Sequence, residues 1–167
     1  MQELKVKNVV ISRQPEDSEN YKKFREIVEH KRINLIIVNK GDILKIEKDL
    51  YFDILWPDKS DFINENVLNN NSIVCKLHYK CLSMLFTGDI EEIAEKSILQ
   101  EYKNNPEILN STIIKVAHHG SKSSSIQGFL DVVKPKIALI GVGENNKFGH
   151  PNEDVIKRLE NLRYYDI

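Results

Sequence analysis

The sequence has little of what would take a chain out of the ordinary soluble globular class. None of its 167 residues belongs to a run approaching the about 20 apolar positions that a membrane span requires. The start, Met1-Gln2-Glu3-Leu4-Lys5, has no apolar core of the signal-peptide kind. The expectation from both absences is a soluble protein, cytoplasmic by default. Two cysteines, Cys75 and Cys81, do not make a disulfide framework, and a reduced, buried pair is expected. Aromatic residues make up 8%, too few for obvious base-stacking platforms. A charge surplus is missing as well. With 24 basic and 25 acidic side chains the formal charge is −1, so no long-range field gathers nucleic acid, and any phosphate binding has to be local.

What is present is enough apolar residue, 41%, for one domain with a real core, in a chain too short for two. Short β-branched runs alternate with amphipathic helical patterns, which predicts α/β layering. Strands are expected over 7–12 and 34–39, with a helix over 18–31 between them, behind the polar start Glu16-Asp17-Ser18. Segments 42–47 and 51–56 read as an antiparallel hairpin with one wet face. The Asn-rich stretch 57–71 reads as a loop, and 72–79 and 81–87 as two further strands. A helix from Gly88-Asp89 through Tyr102 follows, then a strand over 111–117 and a polar loop over 118–124. A helix over about 125–133, a strand over 136–142 and a helix over 152–162 complete the chain. Hairpins ahead of strand–helix alternation predict a mixed sheet with flanking helices.

Three polar clusters fall just past strand ends: Thr87-Gly88-Asp89, His118-His119-Gly120-Ser121 and Phe148-Gly149-His150-Pro151. Layered α/β proteins place ligands and catalytic groups at such ends. One sheet edge would then gather a carboxylate and up to three imidazoles, a donor mix that suits zinc, manganese or iron. Of five histidines, His30 and His78 lie elsewhere and read as structural. Each cluster also has a plainer account. Asp89 with Glu92 fits a capping box, the His-His pair fits surface decoration, and His150-Pro151 fits a turn. The 121–125 run, with Ser121, Lys122 and Ser124, fits either a phosphate site at a helix start or an ordinary Ser-rich cap. Asn145-Asn146-Lys147 offers a second phosphate contact or a solvated turn.

The segments FTGDIEEIAE (86–95), IIKVAHHGSKSSS (113–125) and PKIALIGVGENNKFGHP (135–151), preceded by NNNS (69–72), resemble the late motifs of the metallo-β-lactamase fold. More narrowly, they are similar to the hydrolase domain of ComEC-type DNA-uptake proteins, with the first 60 residues alike only in element order. The resemblance implies an αββα sandwich with two metal ions, zinc or manganese, between its halves. It implies that Asp89 bridges the metals, that His150 is a late ligand, and that His118 or His119 is a ligand or proton donor. Relatives often carry a histidine where Asn70 and Asn71 stand, which puts a ligand there in doubt.

The implied activity is hydrolysis of a phosphodiester, with DNA, single-stranded in particular, as substrate. The rival readings are a non-catalytic DNA- or partner-binding module and a metallo-hydrolase of small molecules. The family's first metal motif, His-x-Asp-x-Asp-His or His-x-His-x-Asp-His, would precede the strand at Lys7 and is not in the sequence. The expectation is therefore one domain over 1–167, lacking the N-terminal part of the fold and a closing strand, weak or inactive alone. The missing half, or the membrane channel domain of full-length relatives, would be its partner.

Overall fold

The computed structural model describes residues 5–13 and 18–162. The Glu16-Asp17 start and residues 163–167, where a closing strand is expected to be missing, lie outside them.

The first unit is a parallel pair, β1 (Asn8–Ser12) and β2 (Asn34–Val38), joined through α1 (Glu19–His30). Ser18, the last residue of the polar start, caps the helix by accepting from the Tyr21 amide at 3.2 Å. The chain then builds a six-stranded sheet in sequence order: β3 (Ile43–Glu47), β4 (Leu50–Trp56), β5 (Val74–Tyr79), β6 (Leu82–Phe86), β7 (Ile113–Lys115) and β8 (Ile137–Leu139). The pairs β3–β4, β4–β5 and β5–β6 are antiparallel, and β6–β7 and β7–β8 are parallel. The sheet is mixed, as expected. Parallel neighbours need long crossovers. These are supplied by α3 (Glu92–Glu101) with the 3-10 turn Pro106–Leu109, and by α4 (Gln127–Val133). Helix α5 (Glu153–Asn161) ends the described chain.

Two departures from the sequence reading matter for the site. A four-residue helix, α2 (Val67–Asn70), interrupts the Asn-rich stretch read as a loop. Helix α3 begins at Glu92, not at Asp89: its cap position is Glu91, extended at φ −112°, and no side chain caps it. The capping-box account of Asp89 is thereby overturned.

Leu85, Ile114, Val74 and Trp56 of the sheet pack with Ala94, Ile98, Phe129, Leu130, Val133 and Val155 of the helices in one buried cluster. Trp56 is 1% exposed, and its indole N–H donates to the Asn70 carbonyl at 2.7 Å. Trp56→Phe leaves that buried oxygen without its donor and is expected to cost about 1–3 kcal/mol, read as a lower urea midpoint at unchanged slope.

The opposite face carries an apolar row across every strand: Leu44, Phe52, Leu77, Met84, Ile113 and Ile137, each paired with the next. This row is half-buried to exposed and contributes no member to the buried cluster. Cys75 and Cys81 are both free. Burial pushes the Cys75 thiol up to about 11, whereas Cys81 is exposed in the β5–β6 turn, so the expected buried pair is not formed.

Candidate active site

Because β6, β7 and β8 run parallel, their C-terminal ends open on one rim of the sheet. β5 is antiparallel to β6, with Cys75 opposite Phe86, so the chain leading into β5 reaches the same rim. Segments 69–72, 87–89, 118–121 and the loop ahead of α5 therefore meet there. Specific contacts lock them together. The His118 amide donates to Gly88 O at 3.1 Å, Asp89 N to Ser72 Oγ at 3.3 Å, and Asn152 N to Gly120 O at 2.8 Å. Thr87 Oγ1 donates to Lys115 O at 2.6 Å, tying the end of β6 to the end of β7.

The predicted side chains come together as two facing pairs. His119 Nε2 lies 3.8 Å from Asp89 Oδ1. The His118 and His150 rings meet edge to face, with centroids 5.9 Å apart. His119 Nδ1 is 2.6 Å from Gly141 O. A carbonyl only accepts, so Nδ1 carries the hydrogen and Nε2 faces Asp89. Asp89, freed from helix capping, is about half-exposed, as is His119. His118 and His119 both hold left-handed backbone, φ 47° and 57°, directly before Gly120 at φ 80°. Non-glycine residues in that region cost on the order of 1–2 kcal/mol each, and such strain gathers at functional sites.

The expected phosphate contacts fare less well. The amides of Ser125 and Ile126 at the start of α4 already donate to the Glu95 carboxylate, at 2.6 and 2.8 Å. Arg158 donates to the Ser124 and Ser125 carbonyls at 3.2 and 2.8 Å. An internal carboxylate thus takes the place proposed for a phosphate. Ser124 is fully buried and Ser121 nearly so, while Lys122 stays exposed with its amine 3.9 Å from Asp154. Burial pushes the Glu95 carboxyl up to about 7, against the pull of those two amides and of Arg158. In the 143–150 loop Asn146 is the organiser: its amide donates to the Gly143 and His150 carbonyls and its oxygen accepts from Phe148 N and His150 N. Asn145 and Lys147 stand exposed on the same loop.

Asn70 and Asn71 are fully buried and hydrogen-bonded to the backbone, with Asn70 Nδ2 also 3.4 Å from Glu91 Oε2. Asn71 accepts from Ile63 N and donates to the Ile63 and Val67 carbonyls. Asn70 accepts from Glu91 N at 2.9 Å and donates to Glu65 O. Neither faces the rim as a ligand.

Glu91 was not anticipated, and Phe148 was placed in a strand-end cluster without a role. The Glu91 carboxylate lies behind the histidines, 3.6 Å from His118 Nδ1. Phe148 is 81% exposed and stacks on His150, centroids 5.8 Å apart. The donor types on the rim suit a divalent ion. Among the described residues, however, no three His, Cys, Asp or Glu side chains are grouped to hold one. These residues by themselves do not fit a resident metal.

A mixed α/β domain with a histidine–carboxylate rim at its parallel strand ends is the class that fold and site define. No family model matches the chain. It is 32% identical over 160 residues to ComE operon protein 3 of Bacillus subtilis, covering 93% of this chain and 19% of that protein. It is 32% identical to Competence protein ComA of Neisseria gonorrhoeae over 65% of this chain and 15% of that protein. Against Recombination protein 2 of Haemophilus influenzae the identity is 29%, over 68% and 13%. The chain belongs to the ComEC-type competence family as a domain-sized segment, spanning about a fifth or less of the length of these relatives.

Proposed function

We propose that the chain is the later part of a metal-dependent phosphodiesterase domain of the metallo-β-lactamase fold, acting on DNA in uptake. The single observation that carries this reading is the approach of His119 Nε2 to Asp89 on a rim where His118 and His150 also meet. The name of one relative, Competence protein ComA, supports the uptake setting.

On this reading Asp89, His118 and His150 are the carboxylate and imidazoles of the rim, and as they stand they do not form a site for a zinc or manganese ion. The chain's own residues bind and move protons. His119, with Nδ1–H held by Gly141 O, carries a proton on Nε2 when charged, beside the Asp89 carboxylate, and can hand it to a leaving oxygen. Phe148 presents a bare aromatic face next to the rim, and base–aromatic stacking favours a single strand. Lys122, Asn145 and Lys147, all exposed, are the side chains left to meet phosphates.

The apolar row Leu44–Ile137 supports a further layer over the second face of the sheet, as in an αββα sandwich. The test is a nuclease assay on single- and double-stranded DNA with manganese or zinc. The isolated chain is expected to be inert and the full-length protein active, with Asp89→Ala lowering that activity at least about 100-fold, the scale on which one lost site group acts. Activity of the isolated chain that survives Asp89→Ala overturns the proposal. Salt-sensitive DNA binding that ignores chelator, without cleavage, would instead favour a binding module.

A further inference from the structure

Glu91 is the most fully engaged carboxylate at the rim, and nothing in the reading above uses it. Its Oε2 accepts from Asn66 Nδ2 at 2.6 Å and lies 3.4 Å from Asn70 Nδ2. Its Oε1 accepts from Ser123 Oγ at 3.1 Å and lies 3.6 Å from His118 Nδ1. Asn70 also grips the Glu91 backbone, through Oδ1 at 2.9 Å from the amide. The side chain is 13% exposed. Groups from α2, the 87–91 loop and the 118–125 loop thus converge on one carboxylate. Beside it, His118 Nδ1 is buried and has no hydrogen-bond partner within ordinary reach.

A buried ring nitrogen without a partner is costly, and the Glu91 carboxylate stands 3.6 Å from this one. A carboxylate there favours the hydrogen on Nδ1, and so leaves the Nε2 lone pair on the far side of the ring. His119 reaches the same state by another route, with the Gly141 carbonyl as its acceptor. The two consecutive histidines thus each have an oxygen near Nδ1, the Gly141 carbonyl at 2.6 Å for His119 and the Glu91 carboxylate at 3.6 Å for His118.

We propose that Glu91 is a positioning residue that fixes the tautomer and orientation of His118, with Asn66, Asn70 and Ser123 holding the carboxylate in place. The chemical importance of that tautomer rests on the hydrolase reading, but the tautomer itself is measurable in the isolated chain. Second-sphere carboxylates of this kind are worth roughly 10–100-fold in activity when removed.

The experiment records ring nitrogen–proton correlations of the ¹⁵N-labelled chain at a pH above the ordinary imidazole range. His118 and His119 are both expected in the Nδ1–H form. Glu91→Gln, which keeps a neutral acceptor and the Asn66 contact, is expected to lower the Nδ1–H population of His118, and Glu91→Ala to lower it further. His119 is expected to be unchanged in both. If Glu91→Ala does not fold, Glu91→Gln carries the test. An Nε2–H His118 in the parent chain, or a population unmoved by either substitution, overturns the proposal. In the full-length protein Glu91→Gln is expected to lower kcat about 10-fold or more with little change in KM. Absence of any nuclease activity there would sink the hydrolase reading and leave the tautomer result standing.

Discussion

Gly88→Ala is expected to destabilise the domain by about 2–5 kcal/mol. An added Cβ would sit 2.6 Å from Ser72 Cβ and 3.2 Å from its Oγ, at a backbone φ of +55°. The left-handed conformation costs an alanine on the order of 1–2 kcal/mol, and overpacking adds roughly 1–3 kcal/mol because Ser72 Cβ has no flexible end to yield. That is a large part of the roughly 5–15 kcal/mol that holds a domain together. Gly149→Ala is the control. It has φ +66° but nothing within 4 Å of the added carbon, so only the backbone component is expected, about 1–2 kcal/mol. Urea denaturation of both variants separates the two contributions. Equal losses would mean that the contact between the 69–72 and 87–89 segments is not tight. Gly88→Ala is also expected to move Asp89 away from His119, since that contact with Ser72 sits one residue before the carboxylate.

Stability is expected to fall as pH rises from about 4.5 to about 7 through the contribution of Glu95. In the folded state burial holds its carboxyl protonated up to about 7, whereas its ordinary value is 4.5. Between those values the folded chain binds more protons than the unfolded one, so raising the pH favours unfolding. The loss from this group is roughly 3 kcal/mol and is complete above pH 7. Glu95→Gln is expected to flatten that part of the profile. The amide has one oxygen for the two N–H groups of Ser125 and Ile126, so one is left unpaired at about 1–3 kcal/mol. The variant should therefore be the weaker protein near pH 5 and recover ground relative to the parent near pH 8. Urea midpoints across that range decide the matter. A parent profile with no fall between pH 5 and 7 would mean that the two amides and Arg158 keep Glu95 charged.

The rim was legible in the sequence because its markers are local. Gly88-Asp89, His118-His119-Gly120 and Gly149-His150-Pro151 each follow a β-branched run, and parallel strands bring such ends to one edge. The order of elements was legible for the same reason, down to a polar start ahead of the first helix. What the sequence left unmarked is burial among identical residue types. The stretch 86–95 holds Asp89, Glu91, Glu92 and Glu95. Only packing reveals that Asp89 is half-exposed on the rim, that Glu91 stands behind His118, that Glu92 pairs with Lys96, and that Glu95 is sealed inside. The Ser-rich run left a phosphate site and an ordinary cap equally open. The carboxylate that fills the helix start behind it comes from 30 residues earlier, beyond the reach of local spacing. The short helix at Val67–Asn70 was hidden because Asn favours turns on its own, and here Asn70 and Asn71 spend their amides on nearby carbonyls.

The consecutive left-handed histidines have a consequence for anyone who tries to improve this domain. Selection for heat resistance alone would drift toward glycine or asparagine at 118 and 119, since both settle into that backbone more easily than an imidazole-bearing residue. The sturdier protein would have discarded two of the groups that give the rim its chemistry. Sampling those two positions for melting temperature here, and for the proposed DNA cleavage in the full-length protein, would show whether the gains in one come at the expense of the other.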